Sequence, residues 1–331
     1  MFPQLQTLTL MSFFDEQLLL FLDKVTDLYQ LVKLDIRNLK GAHTGALLKK
    51  VLAANNNRLK SVLFDDDSMN FILPSTENDE VVSYRNIEEL VVNIKTDKTL
   101  GYLFTLVPHI NRLHINIHQI SSDSKLELAN ALSLVHLKDF QLCSINARWS
   151  LDEIAYILSK MPSLQRLALN LSSKDAHLVN GQNFIKILPS SLVEIHLFIT
   201  YFFHGSHMEV DNLLSTWPTH IRITCLLDKP NEYAVIHTIP CSLPLIVIPG
   251  TLANSMLVGS EYTRQVRDLR IRGEQSFTDI HLIVQHFHRL RKLNIGPTIN
   301  SKARMRFFTR NFSTENLDFI SLMQYKQCIQ R

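Results

Sequence analysis

The chain has 331 residues, 46% of them hydrophobic and 20% charged, an ordinary composition for a folded protein. Its 34 Lys and Arg nearly cancel its 31 Asp and Glu, so the net charge of +3 gives no whole-chain argument for nucleic acid or an anionic membrane as partner. No run reaches the roughly 20 apolar residues of a membrane-spanning helix, and neither GxGxxG nor a GxxxxGK phosphate loop occurs among only 9 glycines, which argues against the nucleotide-binding α/β enzymes.

One pattern begins at once and recurs along the chain: apolar, two residues, apolar, one residue, apolar. It runs Leu5-Leu8-Leu10, Leu31-Leu34-Ile36, Leu59-Val62-Phe64 and Ile87-Leu90-Val92. Ile110-Leu113-Ile115, Leu137-Phe140-Leu142, Leu164-Leu167-Leu169 and Leu192-Ile195-Leu197 follow. Pro218-Ile221-Ile223 and Leu243-Ile246-Ile248 are weaker copies. Val266-Leu269-Ile271 and Leu290-Leu293-Ile295 restore the pattern, and Leu317-Ile320-Leu322 is a terminal one. Successive copies start 23 to 28 residues apart. Each triplet reads as a short strand. The segments between them carry helical spacing, as in Leu18-Phe21-Leu22-Val25-Leu28, Leu128-Ala131-Leu132-Val135 and Ile280-Ile283-Val284-Phe287. Ser150-Leu151-Asp152-Glu153 has the form of a capping box, which predicts a helix starting at Leu151. Pro108, Pro162 and Pro189 stand shortly before strands, where a helix must end.

A unit of this length beginning LxxLxL, repeated 12 to 13 times, resembles the leucine-rich-repeat proteins over essentially the whole chain. The resemblance implies one α/β domain over residues 1–331. It would be a horseshoe-shaped solenoid with a parallel sheet on the concave face and helices on the convex face. Residues 65–86 show little helical pattern and are expected to loop out, and 225–262 to form irregular repeats. The position three residues after each third apolar residue is usually Asn or Cys in such repeats. Here it is Phe13, Leu39, Asp67, Lys95, His118, Ile145, Ser172 and Thr200, so irregular turns are expected.

Irregular repeats without an Asn ladder, few glycines, and a start at Met1-Phe2-Pro3-Gln4 unlike a signal peptide are similar to the repeat region of F-box/leucine-rich-repeat proteins. That resemblance implies a protein-binding scaffold without enzymatic activity or cofactor, selecting substrates for an SCF-type ubiquitin ligase. The ligase adaptor and cullin would be reached only through an F-box, which is not in this sequence. A capping segment or F-box is expected ahead of the first unit. The alternative is a stand-alone binding module, an inhibitor or sensor array. Cys143, Cys225, Cys241 and Cys328 form no CxxC, which suits free thiols in the cytoplasm, with the nucleus as a further compartment.

Side chains alternate between the faces of a strand, so residues flanking the last two apolar positions line the concave sheet. The expected protein-binding set is Arg112, His114, Gln141, Arg166, Glu194, His196, Arg222, Arg270, Arg272 and Lys292. Arg222, Arg270, Arg272 and Lys292 make its C-terminal half basic, which suits an acidic or phosphorylated segment gripped by arginine forks. Cys143 should lie opposite Asn116 with His114 diagonal to it. This Cys/His/Asn set lacks an evident cation or helix end to activate the thiol, and catalysis is not expected. His281 and His286 are five residues apart and diverge on a helix, and His114 with His118 lacks a third ligand, so no metal site is expected.

Overall fold

A computed structural model describes residues 4–25, 28–41, 45–73, 82–119, 131–203, 207–228, 232–241, 243, 245–249, 266–272, 280, 283, 285, 287, 289–296 and 307–308. The chain divides into two compact units, Met1–Ile239 and Pro240–Arg331. Both are mixed α/β.

The first unit is built on a ten-stranded sheet. Its strands are β1 (Thr7–Met11), β2 (Lys33–Arg37), β3 (Ser61–Phe64), β4 (Glu89–Thr96), β5 (Arg112–Gln119), β6 (Asp139–Arg148), β7 (Arg166–Ser173), β8 (Glu194–Phe202), β9 (Ile223–Asp228) and β10 (Tyr233–Thr238). The spatial order is β1-β2-β3-β4-β5-β6-β7-β8-β10-β9. β1 to β8 pair in parallel, each with the next in sequence. The repeated triplets set the register. Leu8, Leu34, Val62, Leu90, Leu113, Phe140, Leu167 and Ile195 form one continuous row of paired residues. Apart from Leu8 and Ile195, every member of that row is fully buried. Each such side chain contributes about 1.5–3 kcal/mol on burial.

The helices cover the apolar face. α1 is Asp15–Leu22, α2 is Gly45–Asn57, and a 3-10 turn at Asp97–Thr99 leads into α3 (Leu100–Leu106). α4 (Leu151–Ser159), α5 (Ala176–Val179), α6 (Gly181–Lys186) and α7 (His207–Ser215) follow. Leu18, Leu48, Val51, Phe104, Ile157 and Leu158 join the strand side chains in one core. The predicted capping box at α4 is present: Ser150 Oγ accepts from Glu153 N at 3.3 Å, and Ser150 N donates to Glu153 Oε2 at 2.8 Å. Asn55, Asn56 and Asn57 take positive φ of 54°, 55° and 59°, a left-handed turn that unwinds the end of α2. Asn is the side-chain-bearing residue that tolerates this region best. Buried Asn55 Nδ2 also donates to Leu28 O and Leu31 O at 3.1 and 2.8 Å, tying one connection to the previous one.

Three expectations are corrected. First, the parallel progression stops at β8. The triplet Pro218-Ile221-Ile223 predicts a further parallel strand, but β10 inserts antiparallel between β8 and β9. Asp228 and Tyr233 are too close in sequence for the dozen-residue crossover a parallel pair needs, so β9 and β10 form a hairpin. Second, residues 131–134 are irregular where helical spacing suggested a helix over 128–135, and α1 ends at Leu22, short of Leu28. Third, the described part of 65–86 is non-helical but not detached. Met69, Phe71 and Leu73 are buried, Phe71 bridges Ile94, and the Phe64 and Phe71 rings stack edge-on at 4.9 Å. Residues 69–73 thus pack against the core, and 74–81 lie outside the described residues.

The second unit holds a four-stranded sheet in the order β11 (Leu245–Pro249), β12 (Asp268–Arg272), β13 (Lys292–Gly296) and β14 (Phe307–Phe308). The first three are parallel and β14 is antiparallel. Ile246, Leu269 and Leu293 pair in one row, and Ile248, Ile271 and Ile295 in another, with all six buried. The terminal triplet 317–322 lies outside the described residues. Among the described residues no helix is long and apolar enough to cross a membrane.

Candidate functional site

On the face of the ten-stranded sheet opposite the helices, the residue before the second apolar position of each triplet falls into one transverse row. Reading across the strands it runs Thr7, Lys33, Ser61, Glu89, Arg112, Asp139, Arg166 and Glu194. From Glu89 onward the charge alternates strand by strand, so every cation meets an anion on both sides. Arg112 Nη1 reaches Glu89 Oε1 and Arg112 Nε reaches Asp139 Oδ2, both at 3.0 Å. Arg166 Nη1 lies 3.5 Å from Asp139 Oδ2, and Arg166 Nε lies 3.5 Å from Glu194 Oε2. At the other end Ser61 Oγ donates to Glu89 Oε2 at 2.7 Å, and Lys33 Nζ stands 3.8 Å away.

Partial burial and pairing act against each other on the two inner carboxylates. Burial pushes Glu89 up, but the Ser61 hydroxyl, Arg112 and Lys33 together bring it below its ordinary value. Burial likewise pushes Asp139 up, and His114, Arg166 and Arg112 pull it below the usual carboxylate range. Burial lowers the Arg112 pKa, and its two carboxylate partners more than restore it. Glu89 and Asp139 therefore stay ionised at neutral pH against Arg112.

The next row on this face holds His114, Gln141, Ala168 and His196. His114 Nε2 lies 3.5 Å from Asp139 Oδ1, and His196 Nε2 lies 2.6 Å from Glu194 Oε1. A third row holds Asn93, Asn116, Cys143, Asn170 and Phe198. Asn93 Nδ2 donates to Asp65 O and Ser68 O at 2.7 and 3.1 Å, and Asn116 Nδ2 donates to Asp66 Oδ1 and Asn93 Oδ1 at 2.6 and 2.7 Å. Side-chain amides thus hold the turn after β3. Ser172, one of the positions where an Asn ladder was absent, does similar work by donating to Ile145 O at 2.8 Å.

Six of the expected binding residues share this face: Arg112, His114, Gln141, Arg166, Glu194 and His196. They are not equally open. The Arg112, Arg166 and Glu194 side chains are 50%, 34% and 51% exposed, while His196 is 3% exposed and Gln141 is buried. Phe198, the last member of the third row, is fully buried and stacked on His237 at 5.8 Å, so its ring is occupied within the fold. Arg222 is exposed immediately before the edge strand β9. Arg270 and Arg272 stand on β12 and Lys292 on β13, in the second unit; the Arg272 side chain lies outside the described residues. The expected basic half-face therefore draws on two units, Arg222 on the first and Arg270, Arg272 and Lys292 on the second.

Cys143 does pair with Asn116 in register. Its neighbours are committed elsewhere, the Asn116 amide to Asp66 and Asn93 and the His114 Nε2 towards Asp139. His281 and His286 lie outside the described residues. Lys33, Ser61 and Glu89 extend the row beyond the expected set. Their signal was present, since they occupy the same triplet position as Arg112. Neither a protein-family model nor a curated protein sequence matches this chain.

Proposed function

We propose that this chain is a leucine-rich-repeat solenoid of the horseshoe type that binds another protein on the exposed face of its sheets, and that it performs no catalysis. The observation that carries this reading is the ion-pair row from Glu89 to Glu194. It is a preorganised, multidentate polar surface on rigid strands, with Arg112, Arg166 and Glu194 accessible at intervals set by the strand spacing. Extended sheet faces of repeat arrays are binding surfaces for this reason. The repeat resemblance favours substrate recognition for an SCF-type ubiquitin ligase, with the adaptor and cullin recruited through an F-box.

The test is affinity capture from cells with the wild-type chain and an Arg112→Ala/Arg166→Ala variant whose circular dichroism matches it. Loss of the same captured proteins from the variant supports the face as the binding site. An unchanged set overturns it. Adaptor and cullin captured when the chain is expressed together with coding sequence upstream of it, and not by the chain alone, support the ligase role. Their absence from both captures, with other partners retained, leaves a binding module with no ligase function.

A further inference from the structure

The ten-stranded sheet ends on β1, and the backbone along that edge is unpaired. Gln6 O accepts from Lys33 N at 3.0 Å and Ser12 N donates to Arg37 O at 2.9 Å, so the even-numbered residues of this stretch turn towards β2. In a parallel ladder successive residues bond to opposite sides. The N–H and C=O groups of Thr7, Thr9 and Met11 therefore point away from β2, and β1 has no second strand partner among the described residues. Such an edge is a template for another strand.

Sheets ordinarily guard an edge with charge, proline or a bulge. β1 uses none of these. The stretch from Gln4 to Phe14 holds no charged residue and no proline, and its register with β2 runs unbroken. One strand inward, β2 sets Lys33, Asp35 and Arg37 on the face where β1 has Thr7, Thr9 and Met11. The side chains about the edge are apolar and open. Met11, Phe14 and Leu20 are 61%, 53% and 71% exposed. Leu8 is half-buried, whereas Leu34, its partner in register, is fully buried. Phe13 and Phe21, edge-on at 6.2 Å, are half-buried as well.

The edge is its own complement. Leu5, Leu8, Leu10 and Phe13 are spaced symmetrically about Thr9. A second β1 laid antiparallel, with a two-fold axis at Thr9, sets Thr7 opposite Met11 and Thr9 opposite its own counterpart. All three outward-facing residues then exchange both N–H and C=O across the boundary. On the core side Leu8 meets Leu10, and Leu5 stands level with Phe13. Threonine pairs are favourable on a sheet surface, and no like charges are brought together along the strand. Self-matching of this kind is what a two-fold interface requires. We infer that β1 is a dimerisation edge, on which a second copy of this chain adds its own β1 antiparallel and joins the two ten-stranded sheets. This does not rest on the ligand-binding reading, because Arg112 and Arg166 stand on β5 and β7, inside the sheet.

Sedimentation velocity of the full chain at about 1 to 100 µM should show a monomer–dimer equilibrium. Thr9 is exposed, so Thr9→Lys should keep the wild-type circular dichroism. It sets two like charges opposite each other at the axis and should raise the dissociation constant about tenfold or more. Cysteine placement reads the register. Cα atoms of a hydrogen-bonded antiparallel pair lie about 5.5 Å apart, within disulfide reach. Mild oxidation should therefore link Thr9→Cys chains into a reducible dimer, beyond any linking of the wild type. Thr7→Cys chains should not link, because the two copies of that residue lie four positions apart along the strands. A chain that stays monomeric throughout the range overturns the inference, and leaves the edge to a strand of another protein. A dimer that Thr9→Lys leaves unchanged, open-ended assemblies, or equal linking of the two cysteine variants also overturns it. If Thr9→Lys unfolds the chain, the cysteine variants decide.

Discussion

The Asp139 carboxylate receives Arg112 Nε at 3.0 Å across the β5–β6 boundary, while the same guanidinium holds Glu89 on the other side. Asp139 is mostly shielded and Arg112 half exposed, so the pair falls between a surface and a buried ion pair. A double-mutant cycle with Arg112→Ala and Asp139→Ala should give a coupling of about 1 kcal/mol, smaller in 1 M salt. Zero coupling at low salt would mean that the row is not an energetic unit.

The same carboxylates give an acid limb to stability. Asp139 and Glu89 have lower pKa values folded than unfolded, so the unfolded chain binds more protons in the window between the two. Their contribution is complete above the ordinary carboxylate range, about pH 4–5, and is lost as pH falls through the lowered values. Urea midpoints of the wild type should fall more steeply below about pH 4 than those of Asp139→Asn.

His237 works in a different window. It is buried beside Phe198, and burial lowers its pKa despite the contact of Nδ1 with Thr238 O. The folded state therefore prefers the neutral ring. Stability from this group is complete above the unfolded value near 6.5 and declines as pH falls towards the depressed folded value. His237→Gln should flatten the pH dependence of the melting temperature between about pH 6.5 and 5. An unaltered slope would place the responsible histidine elsewhere.

Packing predictions concern the middle of the sheet and its covering helices. Leu167 is fully buried between Phe140 and Ile195 in register, and Leu167→Ala should cost about 2–5 kcal/mol in urea unfolding. Gly181 lies against Trp217, where an added Cβ would sit 2.6 Å from the Trp217 Cα. Trp217 is held by its Nε1 bond of 2.9 Å to Val179 O. Backbone cannot yield as a side-chain tip can, so Gly181→Ala should cost about 1–3 kcal/mol despite the higher helix propensity of alanine.

The thiols of Cys225 and Cys241 are pushed up to about 12, both chiefly by burial, with Asp211 adding to the effect at Cys225. At neutral pH their thiolate fraction is negligible. Alkylation followed by site mapping should show buried Cys241 modified only at the rate of unfolding, and half-buried Cys225 modified slowly at neutral pH. Rapid modification of either in the native protein would refute that placement.

The triplets made the strand register legible residue by residue, because a period-2 strand buried on one face leaves little freedom to slip. Leu34 meets Val62, and Ile246 meets Leu269, where the pattern placed them. The alternating row was half legible. Position identified Arg112, Arg166 and Glu194 as neighbours, but how far each is exposed depends on what covers the sheet, which no local pattern records. The burial of Gln141 and His196 belongs to that second kind of fact. The β9–β10 hairpin was hidden because its two apolar runs resemble repeat strands. The turn-rich Lys229-Pro230-Asn231-Glu232 between them was the cue, since four residues cannot hold a crossover.

The order β8-β10-β9 bears on how the chain is made. Synthesis proceeds from the N-terminus, and β1 to β8 can each add to an edge that already exists. Ile223–Asp228 breaks that sequence of events. When it leaves the ribosome its proper neighbour has not been made, and the edge of β8 is open to it. Only when Tyr233–Thr238 follows can the two strands close on each other and dock together. This end of the sheet therefore acquires its order in a single late event, and a ribosome pausing between Asp228 and Tyr233 would hold the chain with a competing strand at an unfilled edge.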